Sequence, residues 1–244
     1  MLNKIKFFLR EKVNKLFDFY HFGESSDRLR IIEEKTFKTD GELFSVPFNF
    51  KGLGHYGTIS PSQVIGEIRS LFDMVKELKP KTVCEIGTDK GGTLYLWCQA
   101  SESDALILSL DLPSRARYSE RRRRLYSQFK KTKQQILTFL PGDSHSAILE
   151  ERVKFTLGER QIDFLFIDGD HTYEGVKQDF LTYSKLVRSG GIIAFHDIRT
   201  VRPGCGVKEF WDELSSSIPS ENRKEFALQA FGPTGAGIGI IIMS

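Results

Sequence analysis

The sequence predicts an α/β protein built on a doubly wound, mostly parallel sheet, and three observations predict it. Five short apolar runs, at about 82–86, 105–110, 135–140, 162–167 and 191–195, alternate with segments of helical periodicity, the pattern of parallel strands joined by crossover helices. Polar or acidic residues close every run: Glu85, Asp111, Asp143-Ser144, Asp168 and His196-Asp197. They therefore share the carboxyl edge, where open parallel sheets bind ligands. The first run also passes through the glycine-rich turn Gly87 to Gly92 directly into a helix start.

Taken in order, residues 1–50 read as a helical appendage and 51–244 as the domain that carries the sheet. Leu2, Ile5, Phe8, Leu9, Val13, Leu16 and Tyr20 recur at helical spacing, while Arg10, Glu11 and Lys12 interrupt any signal-peptide core. This amphipathic helix is expected to pack on its own domain or on a sister subunit, making a homo-oligomer; the basic Lys4, Lys6, Arg10 and Lys12 offer a membrane surface as the other outlet. His55 and Tyr56, within Gly52-Leu53-Gly54-His55-Tyr56-Gly57, lie in a segment that either covers an acceptor or simply links. Helices follow at about 61–78, 92–100, 118–131 and 144–158. The next, 173–188, repeats Tyr173, Val176, Phe180, Tyr183 and Val187 and takes Gly190 as its stop. A helix at 207–217 contributes Phe210, Trp211 and Leu214 to the core, and Gly232 to Gly237 introduce a hairpin whose last strand, 238–243, is antiparallel.

At 244 residues with 20 Phe, the chain has enough apolar material for a full core. No stretch approaches the ~20 apolar residues of a membrane span. Cys84, Cys98 and Cys205 are odd in number and lack Cys-x-x-Cys spacing, which argues against a disulfide framework or zinc site and makes a reducing, cytoplasmic compartment the expectation. The net charge of +3 is uneven: Arg115 to Lys133 holds nine basic residues against Glu120, and the rest has 26 basic against 31 acidic. A solvated helix face is the plain reading of that run, and an anionic substrate or RNA the sharper one. Without a recognition motif, nucleic acid is not the expected partner.

Glycines 87, 91 and 92 let the backbone approach a ligand, and their spacing differs from the dinucleotide fingerprint, which argues against a nicotinamide oxidoreductase. Asp111, 20 residues after Gly91, stands where such folds hold ribose hydroxyls. Asp168, His196 and Asp197 together offer two carboxylates and an imidazole to a divalent ion, Mg²⁺ or Mn²⁺, and His171 is a candidate base because imidazole titrates near neutrality. Each has a structural alternative: Asp168 as a helix cap, His171 as a surface residue, His196-Asp197 as a loop anchor.

Glu85-Ile86-Gly87 with Gly91-Gly92, Asp111, Gly142-Asp143-Ser144, Phe166 to His171, and Gly190-Gly191 before His196-Asp197 resemble the class I S-adenosylmethionine-dependent methyltransferases over residues 60–244. Within that class the resemblance is to small-molecule O-methyltransferases of the catechol, caffeoyl-CoA and macrolide-sugar types. It implies a Rossmann-like, seven-stranded sheet with an antiparallel C-terminal strand and S-adenosylmethionine as cofactor. Glu85, Gly87 and Gly91 would lie at the amino-acid end of that cofactor, Asp111 at the ribose, and Asp143 and Ser144 at the adenine. It further implies a metal at Asp168, His196 and Asp197, a base at His171, and a small hydroxylated acceptor: a sugar, a glycosylated metabolite or a phenol. A metal-free methyltransferase, a cofactor-binding module without turnover and an RNA methyltransferase are the alternatives.

Overall fold

The computed structural model describes residues 2–39, 41–113, 119–227 and 236–244. Its centre is a seven-stranded sheet in the order β3-β2-β1-β4-β5-β7-β6. The strands are β1 (Thr82–Ile86), β2 (Leu106–Asp111), β3 (Ile136–Pro141), β4 (Ile162–Ile167), β5 (Val187–His196), β6 (Arg223–Phe226) and β7 (Ile238–Ile242). The first five are parallel, and β7 runs antiparallel to both β5 and β6. Strand order reverses between β1 and β4, so the crevice at their carboxyl ends is the switch point at which such sheets bind ligands. There the Asp168 amide donates to the Ile86 carbonyl (2.9 Å), which seats the fourth loop beside the first.

Alternation along β1 assigns its side chains to two cores. Val83 faces the aromatic layer of Trp97, Phe164 and Phe166, whereas Cys84 and Ile86 face Leu165, Val176 and Tyr183. On the first side lie α1 (Leu2–Lys38), α2 (Val46–Asn49), α3 (Ile65–Leu78), α4 (Gly92–Ala100) and α5 (Glu120–Tyr126). On the second are α6 (Ala147–Leu157), α7 (Tyr173–Tyr183) and α8 (Val207–Ser216). All nine residues of α4 are buried, because the sheet covers one flank while Leu29, Phe44, Val46 and Phe50 share the core on the other.

Several element ends differ from the sequence expectation. The helix expected at 61–78 begins at Ile65, and that expected at 118–131 is confined to Glu120–Tyr126. Gly190 is not a helix stop. The α7 helix ends at Tyr183 and Val187 already pairs with Ile162 of β4, so Gly190, at φ +72°, sits in an irregular part of β5 and donates to the Met243 carbonyl (2.7 Å). Tertiary pairing overrode a helical period that ran smoothly through Val187. The glycines at 232 and 235 and the basic Arg115 and Arg117 lie outside the described residues, as do the side chains of residues 1–11. Of the amphipathic set that is described, Val13, Leu16 and Tyr20 are 48%, 69% and 55% exposed. Among the described residues no helix is long and apolar enough to cross a membrane.

Candidate functional site

A cavity of about 600 Å³ opens on the carboxyl edge, running from Asp111, Asp143 and His145 at one end to Asp168, His171 and Arg202 at the other. The glycine turn forms its floor. Gly87 has φ +88°, and a Cβ there would stand 2.0 Å from the Asp168 carbonyl oxygen, so no other residue permits this approach of the two loops. Gly91, at φ +84°, lies against the Tyr126 ring and turns the chain into α4 without lining the cavity. Asp111 closes the turn: its Oδ2 accepts from the amides of Thr88 (3.1 Å) and Asp89 (2.8 Å) while the residue lines the cavity.

Glu85 departs from the expected position. It is fully buried behind the turn, where Oε1 accepts from the Trp97 indole (3.0 Å) and Oε2 from the Thr88 hydroxyl (2.8 Å). Burial pushes its pKa up to about 8, against the opposing hydrogen bonds of Thr93 and Thr88. Its link to the cavity is indirect, through Thr88, whose amide donates to Asp111. The strand period explains this: residue 85 shares the face of Val83, and that face belongs to the Trp97 core.

At the far wall, Asp143 accepts from the His145 amide (3.0 Å) and Tyr183 donates to the Ser144 carbonyl (2.8 Å). Sequence reasoning passed over His145. Its Nε2 sits 3.1 Å from the Gly175 carbonyl and 3.3 Å from the fully buried Asp179, so it joins the 142–146 loop to α7. Hydrogen bonding to Asp179 outweighs the opposing effect of burial and raises the imidazole to about 9. The helical spacing of Gly175 and Asp179 was the available signal, but nothing local pairs them with residue 145.

The opposite end gathers Asp168, His171, His196 and Asp197. Asp168 accepts from Gln63 Nε2 (2.6 Å), and its Oδ1 lies 3.1 Å from His196 Nδ1. Gln63 too was absent from the sequence reading. His171 Nδ1 lies 3.4 Å from Asp197, which also accepts from the Thr200 hydroxyl (2.6 Å) and adopts φ +65°, a strained conformation for a residue other than glycine. Ligand atoms of Asp168, His171 and Asp197 all lie within 4.8 Å of one another. The expected metal set also comes together, with His196 Nδ1 3.1 Å from Asp168 and 3.7 Å from Asp197, so His171 joins those three residues as a fourth candidate ligand. The His196 ring is buried against Asp168, and its Nε2 has no protein partner. Burial acts to lower the His196 pKa, yet Asp168, Asp197 and Glu67 together raise it above the ordinary value.

Residues 84–198 match the family described as a methyltransferase domain. An uncharacterized protein of Acanthamoeba polyphaga mimivirus is 36% identical over 154 residues, 62% of this chain. The chain spans 16% and 66% of the lengths of the two curated relatives it matches. Among solved structures, the O-methyltransferase TomG from Streptomyces achromogenes, crystallised with S-adenosylmethionine, is 15% identical, with 89% of this chain and 90% of that one covered and a TM-score of 0.53. An rRNA-methylase structure from Clostridium thermocellum, described as putative, is 13% identical, covering 74% of this chain and 98% of its own at a TM-score of 0.55. At these identities the structures speak for the fold, and the sequence match speaks for the domain. Residues 84–198 are thus similar to a methyltransferase domain, and the sheet around them has the fold of the solved O-methyltransferase structures.

Proposed function

We propose that the protein transfers the methyl group of S-adenosylmethionine to a hydroxyl of a small molecule, such as a sugar, a glycosylated metabolite or a phenol, with a divalent cation assisting. The observation that carries this reading is a cavity of cofactor size holding Asp111 and Asp143 at one end and a carboxylate–imidazole cluster at the other. Asp111 takes the ribose hydroxyls, Asp143 and Ser144 the adenine, and the Gly87 turn the amino-acid end. Glu85 supports that turn from behind.

Methyl transfer to oxygen needs an in-line acceptor and removal of the hydroxyl proton. Two carboxylates and an imidazole, Asp168, Asp197 and His171, fit Mg²⁺ or Mn²⁺ as a donor set. A cation held there would supply a Lewis acid that lowers the acceptor's pKa. Gln63 and His196 hold the Asp168 oxygens in place, and Thr200 does the same for Asp197. A second reading has its own support: with His171 Nδ1 set 3.4 Å from Asp197 Oδ2, the other ring nitrogen is left to take the proton directly.

The basic run bears on the choice between a small acceptor and RNA. Of the four consecutive arginines, Arg122 is buried, and the half-exposed Arg121 and Arg124 lie 3.7 and 3.9 Å from Asp18 of α1, which offsets part of their charge. Calorimetry with S-adenosylhomocysteine tests the cofactor assignment. Asp111→Ala is expected to weaken binding by about 1 to 3 kcal/mol, the cost of unpaired groups in a closed site. Absence of heat for both cofactor forms would end the reading. Once an acceptor is in hand, Asp168→Ala should abolish turnover while leaving cofactor affinity within a few-fold. EDTA separates the two mechanisms: loss of turnover supports the cation, and full activity leaves His171 as the base.

A further inference from the structure

We infer that the outer face of α6 is a self-complementary surface on which a second copy of this chain docks about a two-fold axis. The inner face of the helix, Leu149, Val153 and Leu157, is buried against the sheet. Ile148 and Phe155 point the other way and are 76% and 89% exposed. With Glu151 and Arg152 they occupy positions i, i+3, i+4 and i+7, which is one stripe along the helix. A mostly apolar groove bounded by Leu140, Ile148 and Phe155 follows this stripe.

The order along the stripe identifies the occupant. It runs apolar, acid, base, apolar and is symmetric about the point between residues 151 and 152. An antiparallel copy placed on a two-fold axis through that point sets Ile148 of each protomer against Phe155 of the other and Glu151 of each against Arg152 of the other. Apolar contact and charge complementarity are thus met by one operation, as an isologous interface requires. A one-signed stripe would have called for a different molecule of opposite charge. The neighbouring strand β3 is an edge of the sheet, and its Leu140 lines the groove beside Ile148 and Phe155. Nothing in the pairing has to be dismantled at depth: Glu151 is bridged to Lys154 (3.0 Å) in an exposed pair, and Arg152 donates to the Pro141 carbonyl (3.1 Å) from the exposed side.

Sedimentation velocity over a concentration series on the full chain tests the proposal. The wild-type protein should reversibly form dimers, and Phe155→Glu and Ile148→Glu should each weaken dimerisation at least about tenfold, the loss typical of a central interface anchor. Glu151→Arg and Arg152→Glu should each weaken it by placing like charges across the axis, and the double swap Glu151→Arg/Arg152→Glu should recover it. Thermal melts establish that each variant is folded, which is expected because all four side chains are exposed. A monomer at every concentration overturns the proposal. So does a dimer that survives both apolar substitutions, or a charge swap without recovery. Leu16→Glu and Phe17→Glu on α1 should leave the dimer intact, and loss of the dimer there with persistence in Phe155→Glu would place the interface on the N-terminal helix instead.

Discussion

Glu85 shows how far a residue's apparent role depends on which way its side chain turns. Its position before the first glycine marks it as part of the cofactor loop, yet its carboxylate holds the Trp97 indole and the Thr88 hydroxyl inside the core. Glu85→Gln should therefore be tolerated, because the amide keeps an acceptor for Trp97 while the Thr88 hydroxyl turns to Ser109, 2.7 Å away. Glu85→Ala leaves the indole donor unpaired and should cost about 1 to 3 kcal/mol in chemical denaturation. A pH dependence follows from the raised pKa. The stability associated with the neutral acid is full below the ordinary 4.5 and is lost as pH rises through about 8. Melts of the wild type and Glu85→Gln should accordingly diverge in favour of the variant as pH rises from 4.5 to about 8 and stay a constant distance apart above it. Parallel curves from pH 5 to 9 would show that the carboxylate ionises without penalty.

At the scale of elements, α7 and the loop before α6 meet through His145 and Asp179. An imidazole raised to about 9 by its buried partner stabilises the folded loop fully below its ordinary 6.5, and that contribution is lost as pH rises through about 9. Since the loop also carries Asp143 and Ser144, affinity for S-adenosylhomocysteine should fall over the same range. His145→Gln should bind more weakly at pH 7 and show a flatter profile, and an unchanged profile would detach the pair from the cofactor. Helix ends at this scale were legible only where chemistry marks them. The cap of α7 is Thr172, whose hydroxyl accepts from the Gly175 amide, and not Asp168, while the end of α7 was obscured by apolar residues that serve the next strand.

Across the whole molecule, Arg122 links parts that lie far apart in sequence. It donates to the carbonyls of His55 (2.5 Å), Thr58 (2.6 Å) and Lys90 (3.0 Å) and to the Tyr126 hydroxyl (2.8 Å). The 53–57 segment is in turn tied to α1, where Ser25 accepts from the Leu53 amide (2.9 Å) and Tyr56 donates to Asp18 (3.3 Å). The expectation of a wholly solvated basic face thus fails at residue 122. Arg122→Gln should destabilise the protein by about 3 kcal/mol, seen as a fall of about 6 to 12 °C in Tm. It should also weaken cofactor binding, since the Lys90 carbonyl belongs to the glycine turn. Arg121→Gln, on the exposed side, should change Tm little, and equal effects of the two substitutions would remove the distinction.

The sequence by itself determined the strand order's raw material: apolar runs of strand length, the glycines of the first turn, and acids closing each run are all local signals, and period, turn chemistry and residue type are written along the chain. Asp111, Asp143 and Asp168 were legible for that reason. Gln63, His145, Asp179 and Arg122 were not, because each acts through a partner between 32 and 105 positions away, and no spacing rule encodes such a contact. Only tertiary structure decided that Glu85 faces the core and that His171 joins His196 beside Asp168 and Asp197. The physical reason is the same in both cases: a strand or loop position fixes where the backbone goes, but burial and the partners available on each face decide where its side chain goes.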